Sequence, residues 1–296
     1  MQIGIPRVVI KYLLLRPVPA LVAKARPLLD RTPLYDCRNN SQGPTCGGCV
    51  ASNHACHYMN AGPWTGCNRV WASTFHVMLG SLDGDAARVD TAFAMAQSAI
   101  TVVPPTAEGG IQHDGSFHQH GPQLYSGWGY GAIFSTNVLV LESYAAGTRW
   151  AMGAAHWETF AHLVLDGQAA STRGPNFDFL ACGRLFTYFD QADAFGVDQG
   201  HYHYFAAFSP FELAFPTFAP PFTTPIGVFF APLLGSVDTD RPRAPEFVEF
   251  DARLRGAAPD SSSHTHFFDS DYSVHHRESY AVFVHMLSSR SMYVDV

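Results

Sequence analysis

Between Thr65 and His162 apolar side chains return every three or four residues, and that spacing admits little besides packed amphipathic helices. In VWASTFHVMLGSL the stripe is Trp71, Phe75, Met78 and Leu82, with Thr65 placed to cap the helix. Asp83 or Asp85 is placed to cap the next segment, where Val89, Phe93 and Ile100 continue the stripe. A glycine-rich stretch from Glu108 to Gly131 interrupts the pattern and reads as a loop. Periodicity resumes through IFSTNVLVLESYA and WAMGAAHWETFAHLVL and ends in a turn-rich segment, Asp166 to Asn176. The expected class is mainly α.

The last third changes character. Phe205 to Leu234 carries one charge, Glu212, yet Pro210, Pro216, Pro220, Pro221, Pro225 and Pro232 would break a membrane-spanning helix. PEFVEFDARLRG reads as a short charged helix, and Ala257 to Ser263 as a linker. Beyond it, SYAVFVHML sets Tyr280, Val282, Val284 and Met286 on one face and Ala281, Phe283, His285 and Leu287 on the other, as in a strand. The expected organisation is a helical domain over residues 1–256, with a Pro/Phe-rich insertion near 200–235, and the start of an antiparallel β-domain over 257–296.

Charge narrows the partners. A net charge of −7, with 18 Lys and Arg in no basic run, excludes electrostatic capture of nucleic acid or of an anionic membrane surface. The apolar start, VVIKYLLL, is interrupted by Lys11 and lacks a small-residue cleavage site, so it gives no clear secretory signal. Cys46-Gly-Gly-Cys49 with His54 and His57 has half the spacing of a zinc site, but no second pair completes it, and no metal is assigned.

The stretch richest in chemistry runs from Asp114 to Gly131 and interleaves His118, His120, Tyr125 and Tyr130 with glycines. Glycine lets backbone approach a ligand, imidazole exchanges a proton near neutral pH, and a phenol serves as acid or base when its environment lowers its pKa. Upstream, Asn68 and Arg69 lie at a helix start in Thr65-Gly-Cys-Asn-Arg. Downstream, Arg184 follows Cys182-Gly183. Taken singly, each residue reads equally well as a satisfied core group or a surface ion pair.

Taken in order, these segments resemble polysaccharide lyase family 8, the hyaluronate, chondroitin AC and xanthan lyases, with related alginate-lyase-like sequences. TGCNR is similar to the family's Asn motif, DGSFHQH to its DGSxxQH motif, YSGWGYG to YxGxYG, and CGR to its Gly-Arg motif. HFFDSDYSVHHRESYAVFVHMLSSR is similar to the start of its central β-domain. The resemblance implies an incomplete α/α toroid of helical hairpins followed by the start of an antiparallel β-sandwich. It implies cleavage of a uronate-containing polymer by β-elimination, without a cofactor, by a secreted monomer. In that reading Asn68 neutralises the uronate carboxylate, His120 and Tyr130 transfer protons, and Arg184 positions substrate. Trp128, Gln119, Tyr125 and Arg69 are the expected substrate contacts, and His118 is a bystander.

The resemblance has departures. Trp128 lengthens the His-to-Tyr loop by one residue, and Tyr188 stands where family members carry a second Arg. Val296 falls before the family's Glu/Asn-bearing segment, so a C-terminally truncated member is expected. Two other classes stay open: a carbohydrate-binding remnant without activity, and a glycoside hydrolase using two of Asp114, Glu142, Glu158 and Asp178.

Overall fold

The structure, a computed structural model, describes residues 4–30, 64–107, 109–127, 129–173, 176–183 and 262–292. It divides into two compact units, Met1–Ala99 and Ile100–Val296.

The described part of the first unit is helical: α1 (Gly4–Leu15), α2 (Pro19–Leu29), α3 (Gly66–Asp83) and α4 (Ala86–Gln97). The apolar stretch near the start becomes α1, and Ile10 and Leu13 bury against Leu29, Phe75, Met78 and Leu79. Phe75 and Met78 are the centre of the expected stripe, and Leu82 packs at its margin. Burying each such side chain is worth about 1.5–3 kcal/mol, which offsets the low propensity of β-branched residues in these helices. Arg26 forks onto both oxygens of Asp83, at 2.9 and 2.6 Å, joining the end of α2 to the end of α3.

Gly84, at φ +67, ends α3 in the left-handed conformation, and Asp85 caps α4 by accepting from the Arg88 N–H at 3.0 Å. Thr65 is the exception among the expected caps. It occupies the N-cap position with extended backbone but makes no side-chain capping bond. No described helix is long and apolar enough to cross a membrane.

The second unit opens with a short antiparallel pair, β1 (Gly109–Ile111) and β2 (Phe117–Gln119), in which Gly110 faces His118. The glycine-rich stretch read as loop therefore contains a strand pair. Three-residue strands carry too few side chains to show a period. Next come α5 (Tyr130–Ala145), α6 (Ala154–Ala161) and a π-helical continuation, His162–Gln168. The helical pattern expected from Trp150 starts only at Ala154, with Gly153 at the N-cap.

A minimal pair, β3 (Thr172–Arg173) with β4 (Asn176–Phe177), leads to a 3-10 turn, Phe179–Ala181. The unit closes on a three-stranded antiparallel meander of β5 (Ser263–Phe267), β6 (Tyr272–His276) and β7 (Ala281–His285). Its inner face buries Phe267, Tyr272 and Val274 with Leu124 and Ala181, while Val282 and Val284 face outward as the alternation requires. A mainly helical chain followed by antiparallel strands is thus the fold class observed. The linker expected from Ala257 lies outside the described residues except for Ser262 and Ser263, and Ser263 already belongs to β5. The Pro/Phe-rich segment, the charged helix before the linker, and Cys37 to Cys56 also lie outside them.

Candidate active site

The second unit builds its site on a hairpin. The Tyr125 N–H donates to Phe117 O at 2.7 Å and the Gln119 N–H to Gln123 O at 3.2 Å, closing a turn through His120, Gly121 and Pro122. At its tip the Met292 N–H donates to Pro122 O at 2.8 Å. His120 sits in this turn at φ +63, a left-handed conformation uncommon outside glycine and costing on the order of 1–3 kcal/mol.

The chain then doubles back to bring Tyr130 to the same place. The Gly131 N–H donates to Tyr125 O at 2.9 Å, and a methyl group at Gly131 would overlap that oxygen, so the close return needs glycine. Gly129, at φ +104, caps α5, and Tyr130 is the first residue of the helix.

Three rings result, in a row. His120 and Tyr130 meet edge to face with centroids 4.9 Å apart, and Tyr130 meets Tyr125 in the same manner at 5.0 Å. His120 is exposed, Tyr130 half-buried and Tyr125 wholly buried, so the row runs from solvent into the core. Behind Tyr125, the backbone of Gly183 lies against the phenol ring so closely that any side chain there would overlap it. Gly127 joins this segment through its N–H to Ala181 O at 2.9 Å. The Gly-Arg motif and the His/Tyr motif are thereby one packed structure up to Gly183, and Arg184 itself lies outside the described residues, as does Trp128.

The remaining expected site residues fall in different settings. Gln119 is buried, with its amide against the backbone of Gly109. In the first unit Asn68 is half-buried in the first turn of α3, its N–H donating to Thr65 O at 3.1 Å. Arg69, next to it, donates to Trp64 O at 2.7 Å and to Ser98 Oγ at 3.3 Å, and burial pushes its pKa down.

His118 has a different role. It is fully buried, its Nε2 lies 2.8 Å from Ser270 Oγ, and burial pulls its pKa down to about 4 against the opposing pull of the Asp114 charge. Asp114 accepts from the N–H and hydroxyl of Ser116 at 2.9 and 2.6 Å and from the Asp269 N–H at 2.7 Å. Nearby, Asp178 accepts from the Tyr272 hydroxyl at 2.7 Å, and burial raises the pKa of both groups. These bonds join segments 94 to 155 residues apart, which no local pattern reveals.

They also bear on hydrolysis. Asp114 and Asp178 are committed to internal donors, and Glu142 is buried and accepts from the Met152 N–H at 2.9 Å. Glu158 is exposed on α6. Among the described residues no three of His, Cys, Asp and Glu gather as a metal-binding group.

Known proteins of one family resemble this chain in sequence and in fold. The family model for the N-terminal alpha-helical domain of polysaccharide lyase family 8 matches residues 2–185. Chondroitinase-AC of Pedobacter heparinus is 32% identical over 120 residues, 40% of this chain and 17% of that enzyme. A chondroitinase AC lyase structure from a study of enzyme-oligosaccharide complexes aligns with 77% of this chain and 29% of its own, at 24% identity and TM-score 0.55. The chondroitin AC lyase of Streptomyces coelicolor A3, solved with chondroitin sulphate, aligns with 100% of this chain and 39% of its own, at 20% identity and TM-score 0.65. At those identities the likeness is one of fold, and the chain spans less than half the length of each of these relatives. The match through residue 185 takes in the Asn68 helix, the His120–Tyr130 loop and the Gly183 turn, and the chain belongs to polysaccharide lyase family 8.

Proposed function

We propose that this chain carries the proton-transfer part of an active site that cleaves a uronate-containing polysaccharide by β-elimination. The observation that carries the reading is the contact between His120 and Tyr130, an exposed imidazole against a half-buried phenol. In β-elimination the proton on C5 of the uronate leaves, the C4–O bond breaks, and a double bond forms between C4 and C5. The C5 proton is weakly acidic because the adjacent carboxylate is already negative, so charge developing there must be stabilised. Asn68 supplies an amide donor to that carboxylate.

His120 as a neutral imidazole, or Tyr130 as a phenolate, takes the C5 proton, and Tyr130 returns one to the departing C4 oxygen. Arg184 holds the acidic polymer and favours the phenolate, as a nearby cation does. Trp128 stacks on a sugar face, while Gln119 and Tyr125, both buried, support the loop from within rather than touch the sugar. The reaction needs no cofactor. The partner is an acidic polysaccharide, met outside the cell by a monomeric enzyme.

The test is to incubate the whole chain with hyaluronan, chondroitin sulfate, alginate and xanthan and to follow the ultraviolet absorbance of the unsaturated uronate. Absorbance that grows with time on at least one polymer, and vanishes with His120→Ala, supports the reading. New reducing ends without absorbance would indicate hydrolysis instead, although Asp114, Glu142 and Asp178 are each engaged by internal donors.

A further inference from the structure

The buried bonds around His118 form one chain whose direction is set by counting protons. Asp114, as a carboxylate, only accepts, so the Ser116 hydroxyl donates to it at 2.6 Å. Ser116 Oγ then has only lone pairs left and accepts from the Ser270 hydroxyl at 2.8 Å. The single proton of Ser270 is thereby committed, so its oxygen accepts from His118 Nε2–H at 2.8 Å. His118 is consequently the neutral Nε2–H tautomer, with a bare Nδ1 that is buried and has no partner among the described residues. Charged imidazole would need a second acceptor at Nδ1, and desolvation opposes it, which agrees with the low pKa.

This chain ties three pieces together. Ser270 lies in the turn between β5 and β6, and the neighbouring Asp269 N–H donates to the other oxygen of Asp114 at 2.7 Å. Asp114 and Ser116 open the DGSFHQH motif. His118 is the middle residue of β2, paired with Gly110 on one side and bridged to Leu124 on the other. Two residues later comes His120, in its left-handed turn against Tyr130.

We propose that Ser270 is a positioning residue: through Ser116, Asp114 and His118 it clamps the strand that leads into the His120 turn, and so sets how the His120 imidazole meets the Tyr130 ring. The proposal rests on the reading of His120 and Tyr130 as the proton-transfer pair. A strained turn holds its geometry only when its surroundings over-determine it, and this buried chain supplies hydrogen bonds from the β-meander beside the apolar packing of Leu124 on Phe267 and Tyr272. The hairpin tip is held separately at Met292.

The experiment uses the whole chain labelled with 15N at histidine, in the parent, Ser270→Ala, Ser270→Thr and Asp114→Asn. Long-range proton–nitrogen spectra should give His118 as Nε2–H with unprotonated Nδ1 at neutral pH. Ser270→Ala and Asp114→Asn should alter that tautomer signature and shift the His120 resonances, and Ser270→Thr, which keeps the hydroxyl, should restore both. On the polymer that the parent cleaves, Ser270→Ala should lower kcat on the order of a hundredfold with KM changed less than about threefold, since misplacing a reacting group acts on the chemical step. Ser270→Thr should recover most of that loss.

A parent His118 that is charged or Nδ1-protonated at neutral pH overturns the proposal. So do unmoved His120 resonances in folded Ser270→Ala and Asp114→Asn. The nitrogen spectra need no substrate, so an inactive parent would sink the lyase reading while the His120 resonances still decide the clamp.

Discussion

The imidazole of His120 and the phenol of Tyr130 meet edge to face, with ring centroids 4.9 Å apart and planes at 81°. One ring comes from a hairpin turn and the other from the first residue of α5, and the intervening backbone is drawn back by the bond from the Gly131 N–H to Tyr125 O. Tyr130→Phe keeps that edge-to-face contact, worth about 0.5–1.5 kcal/mol, and removes only the hydroxyl. The melting temperature should move by no more than a few degrees. The rate of unsaturated product formation should fall roughly a hundred- to ten-thousandfold. An equal loss of stability and rate would point to packing as the role of Tyr130.

The left-handed backbone of His120 separates fold from chemistry at a second position. Asn tolerates φ +63 as well as any side chain, so His120→Asn should leave urea-unfolding stability within about 1 kcal/mol of the parent. Product formation should nonetheless drop by at least two orders of magnitude, roughly the contribution of a general acid or base. Activity close to the parent's would remove His120 from the proton-transfer pair.

Stability should fall on acidification because of His118. Burial pulls its folded-state pKa from 6.5 down to about 4, with a smaller contribution from His285 and against the charge of Asp114. Between those two values the unfolded chain binds a proton that the folded chain refuses. The contribution of His118 is therefore fully present above pH 6.5 and declines toward pH 4, by at most about 1.4 kcal/mol per pH unit. Urea titrations at several pH values should give a shallower slope in His118→Gln, whose amide donates to Ser270 without titrating. An unchanged slope would mean that His118 is protonated in the native state.

Gly183 offers a test of how closely the two motifs pack. Its φ of +54 and the Tyr125 ring behind it both exclude a side chain. Gly183→Ala should cost about 1–2 kcal/mol for the backbone and a further 1–3 kcal/mol for crowding a buried ring. Gly153→Ala, with nothing within 4 Å, is the control: it gives up only the N-cap preference for glycine and should cost about 1 kcal/mol or less. Equal stabilities for the two variants would contradict the packing of Gly183 on Tyr125.

The parts legible in the sequence are the parts written locally. Phe75 and Met78 repeat at helical spacing, and they are core residues of α3. The alternation through Val282 and Val284 puts both on the outward face of β7, for the same reason. The pair β1 and β2 escaped because glycines and three-residue strands carry no period. Tyr125 and Gln119 stand in the expected motifs, yet both are buried, and depth below a surface is a tertiary property that spacing does not encode. His118 reads as a bystander until Ser270, 152 residues away, is beside it. Arg69 shows the converse: its motif suggests a substrate cation, while its guanidinium bonds to Trp64 O and Ser98 Oγ.

The central claim is tested most directly by the ultraviolet absorbance of polymer solutions incubated with the parent chain. The account predicts that at least one uronate polymer gives absorbance rising with time, insensitive to chelators and lost in Tyr130→Phe. A folded parent that leaves hyaluronan, chondroitin sulfate, alginate and xanthan without any unsaturated product would contradict it.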